Sequence, residues 1–166
     1  MFWEIYYFCL VAILGLLIGS FLNVCIYRIP LKESIAKGSS HCTSCQMKIK
    51  RYDLIPVFSW IFLGGKCRNC KSKISPRYPL IELLNCLMYI LIYWTCGMNF
   101  KTLLFCALSS VLIVITMIDI DTGEIPNGLI IFILCLSPLV LLLNDMPIWH
   151  RLVGFAAASL ILLLLA

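Results

Sequence analysis

Three carboxylates, Asp119, Asp121 and Glu124, fall within the stretch TMIDIDTGEIPNG, Thr116 to Gly128. They follow a charge-free apolar run from Leu103 to Ile118, at a place where Lys or Arg would be the usual anchor of a membrane segment. Two carboxylates that share a proton can hydrolyse a peptide without a metal, by activating a water held between them. Asp119 and Asp121 are not such a pair if the helix continues through them, because residues two apart point about 200° apart around the axis. Asp121 and Glu124 stand at i and i+3, but Gly123 and Pro126 interrupt a helix there. The stretch therefore offers one acid to a given pocket, and a second must come from elsewhere. The plain alternative is an interfacial loop whose acids are simply hydrated.

A second constellation is Cys42-Thr-Ser-Cys45, then twenty-one residues, then Cys67-Arg-Asn-Cys70. Two C-x-x-C knuckles supply four thiolates, the number and softness that a tetrahedral structural Zn²⁺ requires. Lys48, Lys50, Arg51, Lys71 and Lys73 follow the knuckles and offset the net negative charge of such a centre. The alternatives are a pair of redox motifs or thiols without a role. A redox motif needs only one copy and sits before a helix in a βαβ unit, which this short Gly- and Pro-punctuated block does not build. A closed four-thiolate site has no open coordination position, so its expected role is structural.

The elements that position these groups are apolar. The chain has 166 residues, 62% hydrophobic and 13% charged, with a mean hydropathy of +1.01. Soluble domains are about a quarter charged, so this composition is that of a membrane protein. Apolar runs at Ile5 to Ile26, Leu80 to Met98, Thr102 to Ile118, Leu129 to Leu143 and Leu152 to Ala166 predict about five spans, the last two short. The first run carries Glu4 and no basic residue ahead of it, and it exceeds the roughly 7 to 15 apolar residues of a signal peptide. It reads as a retained span. The expected fold is an all-α polytopic membrane protein with a small zinc-ribbon-like insertion: a first helix over 1–27, a four-cysteine zinc-binding domain over 28–79 and further membrane helices over 80–166.

Eleven of the thirteen Lys and Arg lie between Arg28 and Arg77, so the positive-inside rule puts residues 28–79 in the cytoplasm and the N-terminus outside. Asp119 to Gly128 then returns to the cytoplasmic side. Orientation accounts for the basic balance, and a nucleic-acid partner is not expected. Six other cysteines, Cys9, Cys25, Cys86, Cys96, Cys106 and Cys135, fall in or beside apolar runs, where a thiol packs as a small hydrophobe.

Within these elements, Gly15 and Gly19 are four apart and, with Ser20, predict close helix approach. Asn23 lies on the same face and reads as an interhelical hydrogen bond rather than a catalytic group. Arg28 with Pro30 reads as a snorkelling anchor and a helix stop. Glu82 and Asn85, at i and i+3, are expected to face a polar interior, although an ionisable residue at membrane depth is a functional hypothesis by default. Leu54 to Leu63, too short to span and carrying Pro56 and Ser59, predicts a re-entrant, interfacial or packed segment that presses the four-cysteine domain towards the membrane.

Taken in order, GSFLNVCIYRIP, HCTSC, RYDLIPVFSW, GGKCRNC, ISPRYPLIE and MIDIDTGEIPN resemble the motifs of the type IV prepilin peptidases, over essentially the whole chain. The resemblance implies a bacterial inner-membrane aspartic endopeptidase that cleaves the basic leader of prepilins and pseudopilins on the cytoplasmic side. In many members it also implies N-methylation of the new terminus with S-adenosylmethionine. That family's first catalytic Asp stands eight residues before the second residue of its P-N or P-D dipeptide. Counting back from Pro126-Asn127 gives Asp119. The family's second catalytic Asp lies in a G-x-G-D motif, which this sequence lacks. The expectation is therefore an incomplete peptidase, inactive alone, whether fragment, truncated frame or degenerate member. The alternatives are a methyltransferase or substrate-docking remnant, and a non-enzymatic zinc-ribbon scaffold.

Overall fold

A computed structural model describes residues 2–36 and 38–142, together with 147, 149–150, 152–154 and 156–157. Its long helices are α1 (Phe2–Arg28), α3 (Arg77–Cys96), α4 (Phe100–Thr122) and α5 (Asn127–Leu142), with a short α2 (Phe58–Phe62) between the first two. Among the described residues, α1, α3 and α4 are long and apolar enough to cross a membrane, and α5 is a shorter apolar helix. Four of the expected spans are thus helices at the expected places. The fifth, Leu152 to Ala166, lies largely outside the described residues. The only extended pairing described consists of two isolated antiparallel bridges in the four-cysteine block, so the chain is all-α with a small insertion.

Sequence sets the helix ends. Pro30 disfavours helical backbone just before it, and α1 stops at Arg28. Pro79 falls in the first turn of α3, where its missing N–H would have had no intrahelical partner. Asn99 caps α4, its side-chain oxygen accepting from Thr102 N–H at 3.0 Å. Gly123 ends α4 at φ 66°, a left-handed conformation in which its N–H returns to Asp119 O at 2.8 Å.

The tightest packing joins α1 to α3. A Cβ at Gly15 would stand 2.8 Å from Cys86 Cα, and one at Gly19 would stand 2.7 Å from Glu82 Cα. The two glycines let the backbones approach, as their spacing predicts. At this seam Asn85, 0% exposed, donates to Gly15 O at 2.8 Å and accepts from Ser110 Oγ at 2.9 Å. Ser110 also meets Tyr89 OH at 3.0 Å, so one polar chain ties α1, α3 and α4 together. Asn23 bridges to Tyr78 O at 3.1 Å, the interhelical bond its position predicts. Around these bonds Leu22, Cys25, Ile26, Ile81, Ile113, Val114 and Ile118 form the apolar core, with Leu129 of α5 against it.

Arg28 departs from expectation. Instead of reaching outward it is buried, its Nη1 donates to Ser34 O at 2.9 Å, and its guanidinium lies against Gly38. The chain after α1 turns back so that Ser34 O accepts from this fork of N–H donors.

Candidate functional site

The four-cysteine block is two copies of one knuckle shifted by 25 residues, from Cys42 to Cys67. In the first, Cys42 N–H bonds Met47 O at 3.0 Å, Gln46 N–H bonds Cys42 O at 2.8 Å and Ile49 N–H bonds Ser40 O at 2.9 Å. The second repeats each bond: Cys67 to Ser72 at 2.8 Å, Lys71 to Cys67 at 3.0 Å, and Ile74 to Gly65 at 2.7 Å. Gln46 and Lys71, each just after the second cysteine of its knuckle, turn the chain at φ 59° and 60°. The bridges His41 to Lys48 and Lys66 to Lys73 close the two hairpins. The copies place all four Sγ atoms of Cys42, Cys45, Cys67 and Cys70 within 4.8 Å of one another.

That donor set fits a metal. Four sulfurs at about 2.3 Å from a tetrahedral Zn²⁺ stand about 3.8 Å apart, and Cys42 Sγ and Cys70 Sγ are 3.8 Å apart. Backbone N–H groups of Cys45 and Ser44 pull the Cys42 thiol down to about 6, the Ser72 hydroxyl and N–H lower that of Cys70, and that of Cys45 is raised, the Met47 N–H being outweighed by burial and the Cys70 and Cys42 thiols. No disulfide forms among the described cysteines.

Three contacts hold this module in place. Asp53 receives Arg68 Nη2 and Nε at 2.7 and 2.9 Å, pinning the 3-10 turn Arg51–Leu54 to the second knuckle and holding the Asp53 carboxyl below its usual range. Trp60 Nε1 donates to Ile74 O at 3.1 Å, and its ring lies against Gly65, where a Cβ would stand 2.9 Å from it. Val57, at φ 61°, directs its N–H to Glu82 Oε2 at 2.6 Å. A β-branched residue at positive φ is an outlier, and the carboxylate on α3 offsets the strain by accepting that N–H.

The acids lie at the far end of α4, which runs unbroken through Asp119 and Asp121 to Thr122. Arg77, the first residue of α3, donates Nη1 and Nη2 to the two oxygens of Asp121 at 2.7 Å each, and Nη2 also reaches Met117 O at 3.3 Å. Asp119 is exposed. The helix therefore separates the two acids, as their spacing predicts, and the Arg77 bond puts this end of α4 beside the start of α3, on the side of the bundle that bears the cysteines.

Sequence reading found the cysteines, the acids and the glycine seam. It missed the 25-residue repeat, legible in HCTSCQMKI against KCRNCKSKI, and the roles of Arg77 and Glu82, for which the sequence held no signal beyond charge at a span's start.

A family model described as Bacterial Peptidase A24 N-terminal domain matches residues 13–96. A "Prepilin leader peptidase/N-methyltransferase" of Neisseria gonorrhoeae is 39% identical over 144 residues, covering 72% of this chain and 50% of the relative. A "Type 4 prepilin-like proteins leader peptide-processing enzyme" of Escherichia coli O78:H11 is 40% identical over 131 residues, covering 68% and 49%. A second "Prepilin leader peptidase/N-methyltransferase", from Aeromonas salmonicida (strain A449), is 32% identical over 182 residues, covering 94% and 62%. The chain thus spans about half to three-fifths of the length of these relatives. No solved structure matches significantly.

Proposed function

The chain belongs to the bacterial peptidase A24 family, and we propose that it carries one catalytic acid, Asp119, of a membrane aspartic endopeptidase that removes the leader of type IV prepilins or pseudopilins on the cytoplasmic side. One observation carries this reading. Asp119 is exposed at the end of an apolar helix, on the side of the bundle that bears the four-cysteine module, while its neighbour Asp121 is committed to Arg77. An acid at that depth meets the junction between a basic leader and the apolar helix that follows it. Ionised Asp119 takes a proton from water, and the water oxygen attacks the scissile carbonyl carbon. A second, protonated acid polarises that carbonyl, and the amine leaves with a proton.

Asp121 and Glu82 are both engaged elsewhere and do not supply the second acid. We assign it to a G-x-G-D segment of the kind the resemblance implies. Cys42, Cys45, Cys67 and Cys70 hold a structural Zn²⁺ that orders the insertion and takes no part in the hydrolysis. The proposed division is residues 1–27, 28–79 and 80–166, in a bacterial inner membrane with the insertion cytoplasmic. Methyl transfer from S-adenosylmethionine to the new terminus joins this proposal through the relatives' names, and no described residue is assigned to it.

The test is cleavage of a prepilin by a form carrying a G-x-G-D segment. Asp119→Asn should abolish cleavage while leaving zinc content and thermal stability unchanged, and the 166-residue chain alone should not cleave. Retained cleavage in Asp119→Asn, with loss in Asp121→Asn, would reverse the assignment.

A further inference from the structure

The four-cysteine module exposes an apolar stripe that the peptidase reading does not use. Phe58, Ile61 and Phe62 are 55%, 61% and 86% exposed, with Leu54 and Ile55 exposed beside them. The first three stand at i, i+3 and i+4 of α2, hence on one face. Trp60 points away from that stripe, bonded to Ile74 O and packed on Gly65. Soluble surfaces rarely leave such a continuous apolar patch to water.

Depth identifies what covers it. Val57, immediately before α2, bonds Glu82, which is five residues into α3. At about 1.5 Å per residue, Glu82 lies ~7.5 Å inside the start of that helix. The twenty residues of α3 extend about 30 Å, the thickness of a hydrocarbon core. The hydrogen bond to Glu82 therefore holds α2 near the edge of the hydrocarbon, at the depth where amphipathic helices lie, about 5–10 Å into the boundary between headgroups and acyl chains. Apolar side chains at that depth match the acyl boundary of a phospholipid bilayer.

We propose that α2 is an interfacial anchor: Phe58, Ile61 and Phe62 enter the acyl boundary of the bilayer and fix the height of the four-cysteine module over the membrane. The anchor does not depend on Asp119 or on cleavage.

The full chain, reconstituted alone in vesicles of equal parts phosphatidylcholine and phosphatidylglycerol, tests this with photoreactive benzoylphenylalanine replacing Phe62. A companion protein has it replacing Ile61, and a control has it replacing Asn69 at the exposed tip of the second knuckle. One metal per chain verifies that each protein is folded. Illumination should give several-fold more lipid adduct at positions 62 and 61 than at 69. A peptide with a basic leader and an apolar helix, added before illumination, should leave that adduct unchanged. Equal lipid yields at all three positions, adducts to a second copy of the chain, or transfer of the adduct from lipid to peptide would each overturn the anchor. The last result would identify a substrate-docking face. Because cleavage is not read, failure here leaves the peptidase reading untouched.

Discussion

Arg77 and Asp121, 44 residues apart in sequence, form a two-pronged ion pair with both N–O distances at 2.7 Å. The bond joins the first residue of α3 to the last turn of α4 and sets the rotation of the helix end that carries Asp119. Both side chains are more than a third exposed, so the pair contributes little to stability, about 1 kcal/mol or less. Its expected effect is on geometry. Asp121→Asn and Arg77→Gln should each lower cleavage partially in an active form and shift the unfolding midpoint only slightly. Because they remove the same contact, the double variant should cost no more than either single one. A double-mutant cycle on cleavage rate measures this, and additive losses would show that the two residues act separately.

Gly19→Ala should destabilise the helix seam where Gly128→Ala should not. The new Cβ at Gly19 meets Glu82 backbone at 2.7 Å, whereas at Gly128 nothing lies within 4 Å. Backbone cannot swing aside as a flexible side chain would, so α1 and α3 must separate, at a cost on the order of 1–3 kcal/mol. Thermal unfolding in detergent reads the difference. Equal midpoints for the two variants would contradict the close approach.

Purified protein should contain one zinc per chain, and Cys67→Ser should lose it. Metal binding to such sites supplies about 10–16 kcal/mol in small zinc modules, and this insertion has little core of its own. Chelator-treated protein or Cys67→Ser should therefore become sensitive to trypsin at Lys66, Arg68, Lys71 and Lys73 while α1, α3 and α4 stay helical. Metal analysis and limited proteolysis decide it. A stable, protease-resistant Cys67→Ser variant would show that the thiols are not holding the module.

An epitope inserted between Gly38 and Ser39 should be reached by antibody only after the membrane that holds the protein is opened. Ten of the thirteen Lys and Arg lie from Arg28 to Lys73, and Arg77 opens the next helix, so the loop should be cytoplasmic. A second epitope in the turn between α3 and α4, at Met98, should be reached without opening it, since the two helices run in opposite directions around Gly97 and Asn99. Exchange of the two results would invert the topology.

Residue type and local period were enough for much of this. Runs of apolar residues must become helices in lipid because every backbone group has to be bonded within its own segment, and α1, α3 and α4 stand close to where those runs lie. Two C-x-x-C pairs were enough to nominate the four sulfurs, because each knuckle is closed by bonds within eight residues of its first cysteine. The divergence of Asp119 and Asp121 followed from helix geometry alone. So did the close approach at Gly15 and Gly19.

What the tertiary structure decided is which face meets which, because a helix that is apolar all round does not say which side packs against protein and which against lipid. Asn85 was visible as a polar residue near the start of a span, but its bonds to Gly15 and Ser110 depend on three helices converging. The partner of Asp121 is an arginine from another helix, and Glu82 is spent on a backbone N–H 25 residues earlier. Arg28 is buried rather than extended because the chain after it folds back. Contacts of that kind are set by how segments distant in sequence are brought together, whereas helices, knuckles and turns are set by bonds that a short segment makes with itself.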